Sequence, residues 1–326
     1  MPSQAEGPII VTGGAGFIGS NVVAALNERG EENIVIADRL GTGTKWRNLR
    51  GLRFEEFVDK DELMDRVRRR AFPTPRAIVH MGACSATTEA DADYLIHNNT
   101  VYTRDLCAWA LETGARLVLA SSAATYGDGS RGYSDEDAAT PALRPLNMYG
   151  LSKQIFDEWA LRHGHYERIV GLKFFNVFGP REHHKGEMRS VVHKAYGEVL
   201  RTGKISLFRS GHPGYQDGEQ KRDFVYVKDA VRVVLYFLDN PDRNGLFNCG
   251  TGKARTWLDL ARAVFAALGQ EARINWIDMP EELAGKYQYF TEAETEKLRR
   301  AGYTEAFTPL EDAVAEYVEY LRSEET

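Results

Sequence analysis

The segment that most constrains the fold of this chain is IIVTGGAGFIGS, residues 9–20. In it an apolar run is followed by Gly13, Gly16 and Gly19, and a helical pattern begins at Phe17. Glycines at this spacing allow a tight turn, let the backbone approach a pyrophosphate and let the helix pack closely on a sheet. The amino end of that helix presents oriented N–H groups and a partial positive charge to an anion. The segment therefore predicts a strand, a turn and a helix that together bind a dinucleotide.

Short β-branched runs alternate with longer helical patterns as far as residue 174. The predicted strands are residues 8–13, 33–38, 76–82, 116–122 and 168–174. The predicted helices between them are residues 17–29, 62–70, 91–113 and 146–163. Continuously apolar strands that are separated by helices form parallel sheets covered on both faces. The pattern predicts an α/β fold of the Rossmann type, with a doubly wound parallel sheet.

This alternation breaks after residue 174, where glycine, proline and charged residues become frequent. The later predicted elements are a strand at 204–208, a strand leading into a helix at 223–238, a strand at 245–250, and helices at about 188–201, 256–268, 291–300 and 309–322. We expect residues 8–175 and about 223–250 to form the nucleotide-binding domain. A smaller, mostly helical domain, about 176–222 and 251–322, would then bind the substrate.

The composition excludes several other classes of protein. The formal net charge is −6, with no basic surface pattern that would bind a nucleic acid. The three cysteines are scattered and form no CxxC pair, which favours a reducing compartment. The sequence contains neither an apolar run of membrane-spanning length nor a basic and apolar leader at its start. We therefore expect a cytoplasmic protein with neither a nucleic acid nor a membrane as its partner.

The end of the second predicted strand bears on the choice of dinucleotide. Asp38 lies 19 residues after Gly19, where a carboxylate would bind the ribose 2′-hydroxyl of NAD. However, Arg39 follows directly, and Lys45 and Lys60 lie in segments that could reach the same place. A 2′-phosphate requires such cations. The sequence therefore favours NADP, with NAD as the alternative.

A tyrosine and a lysine lie one helical turn apart in NMYGLSK, residues 147–153. Tyr149 and Lys153 share one helix face, and Ser122 ends the preceding predicted strand. A cation about 4 Å from the hydroxyl contributes roughly 4 kcal/mol, or about three pKa units, at an effective dielectric constant of 20. That would prepare Tyr149 to accept a proton from an alcohol while hydride leaves for a nicotinamide. The alternative is an ordinary helix pair on the surface.

Together these elements resemble the extended short-chain dehydrogenase/reductase family. Within it, the chain is similar to the ADP-glyceromanno-heptose 6-epimerases from about residue 8 to residue 322. The similar segments are IIVTGGAGFIGSN, DRLGTGTKWRNL, HMGACSATTE, SSAATYG, YGLSK, FFNVFGPREHHKGEM, KRDFVYV and GKYQ. The resemblance implies an isomerase that inverts C6 of an ADP-activated heptose through a 6-keto intermediate, with tightly bound NADP. It further implies that the protein forms a homo-oligomer and that it takes part in the synthesis of lipopolysaccharide precursors.

The charged segment Arg181–Lys185 would then supply a second acid/base group. The resemblance assigns this role to Lys185, while Tyr149 serves the other epimer. Such a lysine needs a lowered pKa, which neighbouring cations and desolvation would supply. Glu187 stands close in sequence and could raise that pKa or point away. Three other interpretations stay open, namely a metal site built on His183 and His184, an anion clamp and a solvated loop; we expect no metal.

The resemblance also implies two sets of binding residues. The cofactor set is Gly13, Gly16, Phe17, Ile18, Gly19, Asp38, Arg39, Lys45, Lys60, Met81, Gly82, Ala83, Cys84, Ser85, Asn98, Lys153 and Val177. The substrate set is Ser122, Asn176, Lys185, Glu187, His193, Phe208, Arg209, Ser210, Gly211, Arg222 and Tyr287. In addition, residues 211–220 form a longer loop than expected, which could alter the edge of the substrate site.

Other functions are compatible with part of this pattern. Within the same family, these are a ring 4-epimerase and a 4,6-dehydratase of other nucleotide sugars. A dehydratase usually has an acidic pair beside the serine, where this chain has Ala123 and Ala124. A binding protein that senses NADP without catalysis would not need Ser122, Tyr149 and Lys153 together.

Overall fold

A computed structural model describes residues 7–280 and 287–325 of the chain. Its main feature is a seven-stranded parallel sheet with the strand order β10-β6-β5-β4-β1-β2-β3. The strands are β1 (Ile9–Thr12), β2 (Ile34–Asp38), β3 (Glu56–Asp59), β4 (Ala77–His80), β5 (Arg116–Ser122), β6 (Val170–Phe174) and β10 (Gly245–Cys249). The predicted Rossmann-type, doubly wound parallel sheet is confirmed.

Helices cover both faces of this sheet because its strands are apolar on both sides. Ile9 and Val11 of β1 point into one core, whereas Ile10 points into the other. Helices α1 (Phe17–Glu28) and α7 (Val227–Asp239) pack on the first face. The second face is covered by α2 (Lys60–Arg68), α4 (Tyr102–Thr113) and α5 (Met148–Arg162). Burying each Val, Ile or Leu side chain contributes about 1.5–3 kcal/mol, so the two cores dominate the stability of this part.

The sequence analysis missed the edge strand β3. Its sequence EFVD has only two apolar residues, and Val35 of β2 pairs with Glu56. An edge strand contacts one neighbour and can keep polar side chains in solvent, so it lacks the apolar run of a central strand. Helix α2 then begins at Lys60, because the Asp59 side chain caps it by accepting from the Asp61 N–H at 2.9 Å.

The predicted helix 91–113 contains a π-helical segment. Helix α3 (Ala92–Leu95) leads into the π segment Ile96–Val101, and α4 follows. Within it, the side-chain amide of the buried Asn98 donates to that of the buried Asn99 at 3.1 Å. Asn99 accepts from the Cys84 N–H and donates to the Cys84 carbonyl, both at 2.9 Å. The π segment therefore fixes the loop that follows β4.

The remaining elements form a smaller part beside the carboxyl ends of the large sheet. Its helices are α6 (Val191–Thr202), α8 (Trp257–Leu268), α9 (Glu296–Arg300) and α10 (Leu310–Glu325). Its strands are β7 (Asn176–Phe178), β8 (Ile205–Phe208), β9 (Lys221–Tyr226), β11 (Ala254–Thr256) and β12 (Ile274–Ile277). Among the described residues, no helix is long and apolar enough to span a bilayer.

Strand β9 departs from the domain division that the sequence suggests. It pairs with β7 and antiparallel with β11, in a sheet separate from the seven-stranded one. By contrast, α7 packs on the large sheet, and β10 pairs with β6 inside it. Residues 223–226 therefore join the smaller sheet although the helix after them covers the larger one. The two-domain boundaries themselves stay a prediction.

Candidate active site

The glycine turn after β1 has no room for side chains. Gly13 has a φ of +67°, and a Cβ on it would lie 2.6 Å from the Cα of Gly82. A Cβ on Gly19 would lie 2.1 Å from the carbonyl oxygen of Gly13. The turn lies beside β4, where the strand order reverses, and at the amino end of α1. This backbone cradle fits the pyrophosphate of a dinucleotide.

Two adjoining cavities extend from this turn, with volumes of about 330 and 250 Å³. Both are lined in part by Gly13, Asp38, Lys45 and Gly82. Each of the residues predicted to bind the cofactor lines one cavity or both. The larger cavity, which we call the catalytic cavity, also contains Ser122, Tyr149 and Lys185. The structure therefore brings the predicted cofactor residues and the predicted acid/base residues together.

The smaller cavity has charged groups where a ribose would lie. Asp38 accepts from the backbone N–H of Ala15 at 3.0 Å and of Arg39 at 2.7 Å, and it pairs with Lys45 at 2.5 Å. The guanidinium of Arg39 pairs with Asp61, and Lys60 pairs with the same carboxylate at 2.6 Å. The Asp38 carboxylate is thus paired with a cation, which reduces its repulsion toward a phosphate.

Ser122, Tyr149 and Lys153 are positioned by the end of β5 and the start of α5. Asn147 caps α5 by accepting from the Gly150 N–H at 2.8 Å, which places Tyr149 in the first turn. The Ser122 side chain hydrogen-bonds Tyr149. Lys153 is buried, and its Nζ donates to the Ala120 carbonyl at 2.8 Å. Burial lowers the pKa of Lys153 to about 8.

The predicted lowering of the Tyr149 pKa by Lys153 is wrong for this structure. Burial raises the pKa of Tyr149, and the hydrogen bond from Ser122 opposes that shift only in part. Since Lys153 directs its ammonium group toward the strand carbonyl of Ala120, it does not act on the tyrosine as the helix spacing suggested. The phenol therefore keeps its proton at neutral pH.

Lys185 lies on a short 3-10 helix, His183–Met188, which follows β7. Its Nζ lies over the ring of Phe17, 4.9 Å from the ring centre. Burial lowers the pKa of Lys185, as the sequence analysis expected, and the charge of Glu182 acts in the opposite direction. Neighbouring cations, which we also expected to contribute, do not appear among the causes of this shift. Desolvation is therefore the cause of the lowered pKa of Lys185.

Glu182 holds the segment that carries Lys185, and the sequence analysis missed it. Its fully buried carboxylate accepts from the Ser190 N–H at 2.7 Å and from the Ser190 hydroxyl at 2.5 Å. It also accepts from the Tyr317 hydroxyl at 3.0 Å and from the Gly179 N–H at 3.4 Å. We call these groups the Glu182 cluster. The carboxylate ties both ends of the 3-10 segment to the amino end of α6 and to α10.

The other interpretations of the segment 181–188 are weakened by where its side chains lie. The guanidinium of Arg181 donates to the Asn48 carbonyl at 2.6 Å and lines a separate cavity on the far side of the segment. His184 hydrogen-bonds the Asn48 amide at 3.2 Å, and burial lowers its pKa to about 4. Among the described residues, no group of three His, Cys, Asp or Glu side chains could hold a metal ion. Glu187 is 93% exposed and pairs with Lys194 at 3.2 Å, so it points away from Lys185.

The residues predicted to bind the substrate fall into several places. Arg222 is buried, with its guanidinium 5.5 Å from the ring centre of Trp257 and 5.1 Å from that of Tyr287. Phe208 and Tyr287 line an apolar cavity of about 260 Å³. His193 and Glu187 line the separate far-side cavity, and Asn176 is exposed at the start of β7. Residues 285 and 286 of the GKYQ segment lie outside the described residues.

The loop 211–220 is anchored to the predicted substrate residues 209–211. Asp217 accepts from the Ser210 N–H at 2.7 Å and pairs with Arg209 at 3.2 Å. Tyr215 stacks on Tyr289, with 5.6 Å between their ring centres. The longer loop therefore forms an ordered aromatic edge beside the apolar cavity.

A buried ion pair beneath the catalytic cavity was also missed. Lys173 of β6 pairs with Asp157 of α5 at 3.1 Å, and both side chains are almost fully buried. Asp157 also accepts from Ser121 at 2.6 Å and from Tyr166 at 2.7 Å, and its charge raises the pKa of Lys153. The spacing of Lys153 and Asp157, one turn apart on α5, could have placed Asp157 near Lys153, but no local pattern indicates its pairing with Lys173.

Comparison with known proteins agrees with this arrangement. The model of the NAD dependent epimerase/dehydratase family matches residues 9–250. The ADP-L-glycero-D-manno-heptose-6-epimerase of Nitratidesulfovibrio vulgaris is 59% identical over 314 residues, covering 96% of this chain and 97% of that protein. The crystal structure of the Helicobacter pylori ADP-L-glycero-D-manno-heptose-6-epimerase aligns with a TM-score of 0.81 at 26% identity, covering 99% of each chain. The structure of the Thermus thermophilus UDP-glucose 4-epimerase in complex with NAD aligns with a TM-score of 0.76 at 27% identity, covering 97% of this chain and 99% of that one.

The similarity extends over almost the whole chain, and the family is one that uses a nicotinamide dinucleotide. The resemblance that the sequence motifs indicated is thereby confirmed. The chain belongs to the NAD dependent epimerase/dehydratase family and, within it, to the ADP-L-glycero-D-manno-heptose-6-epimerases.

Proposed function

We propose that this chain inverts C6 of the heptose in ADP-D-glycero-D-manno-heptose, giving the L-glycero epimer. The observation that carries the proposal is that Tyr149 and Lys185, from separate segments of the chain, line one cavity together with the glycine turn. An epimerisation through a ketone needs a proton acceptor and a proton donor on two sides of the same carbon. The names of the similar enzymes supply the sugar and the carbon atom.

We further propose that the cofactor is NADP. When bound, its nicotinamide supplies the hydride acceptor and donor at C6. Arg39, Lys45 and Lys60 line the cavity in which the adenosine ribose would lie, and Lys45 already neutralises Asp38. Cations there suit a 2′-phosphate. Releasing the nucleotide from the purified protein and identifying it by mass would distinguish NADP from NAD, and recovery of NAD alone would overturn this part of the proposal.

The chain's own groups handle the protons. In the first half, one group accepts the hydroxyl proton as the C6–H bond breaks and the ketone forms. Rotation about the bond between C5 and C6 then presents the opposite ketone face, and the other group donates a proton to the oxygen as C6 regains a hydrogen. Atoms and electrons balance within the sugar, so no net oxidation occurs.

The pKa shifts favour an order for these two steps. Burial raises the pKa of Tyr149 and lowers that of Lys185, so each shift moves the group toward its neutral form. Lys185 is then the base that accepts the first proton, and Tyr149 is the acid that donates the second. After one turnover Lys185 is charged and Tyr149 is ionised. A proton exchange through solvent, or a turnover in the reverse direction, restores the starting state.

The remainder of the substrate would extend away from the catalytic cavity. Arg222 offers a planar, always charged group that suits a diphosphate, and it is held between two aromatic rings. The apolar cavity lined by Phe208 and Tyr287 lies beyond it and suits a nucleotide base. The homo-oligomeric state and the cytoplasmic location stay predictions.

The test is proton NMR of ADP-D-glycero-D-manno-heptose with the purified enzyme and without added NADPH. We expect conversion to the L-glycero epimer, and a rate roughly 10²–10⁴ times lower in Lys185→Ala, which loses one acid/base group. This variant should still hold its nucleotide. Lys194→Ala is the matched control, because this lysine lies nearby but pairs with Glu187 on the far side of the segment. No conversion by the wild type would overturn the heptose assignment, and full activity in Lys185→Ala would overturn the role of Lys185.

The alternatives within the family make different products. A 4,6-dehydratase would release water and give a ketosugar with its own NMR signals. Ala123 and Ala124, which follow Ser122 in a short 3-10 turn, offer no carboxyl group for that reaction. A protein that only senses NADP would bind the nucleotide and leave the heptose unchanged.

A further inference from the structure

The apolar cavity contains a buried amide, that of Gln220. Gln220 is only 1% exposed, and among the described residues neither its amide oxygen nor its amide nitrogen has a hydrogen-bond partner. The cavity has a volume of about 260 Å³. It is lined by Val191, Ser206, Leu207, Phe208, Gly218, Gln220, Trp257, Ile277 and Tyr287. An amide that is buried and unpaired on both sides is rare in native proteins and calls for a specific explanation.

The other polar side chains around this cavity are already paired. The Ser206 hydroxyl donates to Glu198 at 2.6 Å. The Trp257 indole N–H donates to the Tyr287 hydroxyl at 2.8 Å. The unpaired hydrogen-bonding capacity of the lining is thus concentrated in Gln220, whose amide offers both an acceptor oxygen and a donor nitrogen. A ligand that satisfies it must offer a donor and an acceptor side by side.

Gln220 also lies in line with the proposed diphosphate site. It directly precedes β9 and stands two residues before Arg222, and the exposed Lys221 lies between the two buried side chains. In an extended chain, residues two apart point to the same side and lie about 6.6 Å apart. The rings of Trp257 and Tyr287 lie beside Arg222 and also line the cavity. A nucleotide whose phosphates meet Arg222 would therefore direct its base toward Gln220.

We infer that Gln220 is a specificity-determining residue that binds the hydrogen-bonding edge of the adenine base of the substrate. Its amide oxygen would accept from the exocyclic amino group of adenine, and its amide N–H would donate to an adjacent ring nitrogen, as glutamine does with adenine in other contexts. The aromatic and aliphatic lining would hold the faces of the base. This inference rests on the proposed function, because it takes the substrate to be an ADP-sugar.

The experiment compares two ligands in two proteins, with the cofactor site saturated by NADP so that only the substrate site binds the probe. The ligands are ADP and purine riboside 5′-diphosphate, which lacks the exocyclic amino group. The proteins are the wild type and Gln220→Leu, which keeps a similar volume without polar atoms. We expect the wild type to bind ADP roughly 10-fold more tightly than the purine analogue, because the analogue leaves one amide atom unpaired. In Gln220→Leu this ratio should fall to about one.

A second measurement separates recognition from a purely structural role. Removing a buried amide that has no partner should stabilise the protein without substrate, with a rise in Tm of about 1–3 °C. Gln220→Leu is therefore expected to be more stable and yet to bind ADP roughly 10-fold more weakly. Gln270→Leu, at an exposed position just after α8, makes the same chemical change outside the cavity and should alter neither quantity.

The outcomes distinguish this inference from the proposed function. If the NADP-saturated wild type binds neither ADP nor an ADP-sugar, the substrate class in the proposed function is overturned and the inference falls with it. If the wild type binds ADP and Gln220→Leu keeps the same preference for ADP over the analogue, only the role of Gln220 is overturned. Loss of that preference with a higher Tm supports the inference.

Discussion

Replacing Glu182 by glutamine would test whether one buried carboxylate both stabilises the segment of Lys185 and tunes its chemistry. The carboxylate accepts four hydrogen bonds, two of them from Ser190 and one from Tyr317. An amide nitrogen cannot accept, so either orientation of the new side-chain amide places an N–H₂ group against a donor of the cluster. Glu182→Gln therefore preserves the shape of the side chain while breaking its hydrogen-bond pattern.

The expected loss of stability follows from these contacts. A hydrogen bond to a charged group contributes about 1.5–3 kcal/mol, and a buried donor left without a partner costs about 1–3 kcal/mol. We expect Glu182→Gln to lower the free energy of unfolding by about 2–4 kcal/mol, which corresponds to a Tm roughly 3–6 °C lower. Tyr317→Phe removes a single donor and keeps the charge, so it should lose only about 1 kcal/mol. Calorimetry of the two variants beside the wild type measures both values.

The same variant should shift the pH dependence of catalysis. The charge of Glu182 raises the pKa of Lys185, and burial lowers it by more. Removing that charge lowers the pKa of Lys185 further, so the neutral amine persists to lower pH. Because Lys185 acts as a base in its neutral form, the acidic limb of kcat should move to lower pH in Glu182→Gln and stay in place in Tyr317→Phe. A Glu182→Gln enzyme with wild-type stability and an unmoved acidic limb would refute the reasoning.

Two further predictions concern the glycine turn and the buried ion pair beneath the catalytic cavity. Gly13→Ala should abolish nucleotide binding, because its Cβ would meet Gly82 at 2.6 Å. Gly43→Ala, which has open space around it and lines neither cofactor cavity, should bind normally. The absorbance ratio at 260 and 280 nm of the purified proteins reports the bound nucleotide, and equal ratios would contradict the role of the turn. Lys173→Met should lower the free energy of unfolding by about 3–5 kcal/mol, since it leaves the buried charge of Asp157 unpaired. Urea denaturation measures this, and a loss well below that range would contradict it.

The sequence predicts the fold well wherever local pattern and tertiary structure agree. Apolar strands, helix caps and the glycine spacing are all encoded within a few residues, so the elements of residues 8–174 lie close to their predicted bounds. Strand β3 was not predicted, because an edge strand needs no continuous run of apolar residues. Strand β9 opens with three charged residues, and its membership in the smaller sheet depends on pairing with β7 and β11. Pairing partners far apart in sequence leave no local signal.

The residues of the candidate site likewise fall into those that the sequence predicts and those that only the folded structure reveals. The residues of the cofactor cavities follow from motifs, since most of them come directly after a strand or open a helix. The pKa of Tyr149 could not be derived from spacing alone, because burial is a tertiary property and here outweighs the hydrogen bond from Ser122. Glu182 and Gln220 were missed for a related reason. Charged and polar side chains are usually exposed, and only the folded structure shows that these two are buried.

The Glu182 cluster joins the segment of Lys185 to Tyr317, near the carboxyl end of the described chain. During synthesis, the glycine turn and the helix of Tyr149 are complete long before residue 317 leaves the ribosome. At about 5–20 residues per second, the interval between residues 185 and 317 is roughly 7–26 s. Throughout that interval the Glu182 carboxylate lacks the hydrogen bond from Tyr317. The contact between the last helix and the segment of Lys185 is therefore made several seconds after the glycine turn and the helix of Tyr149 have been synthesised.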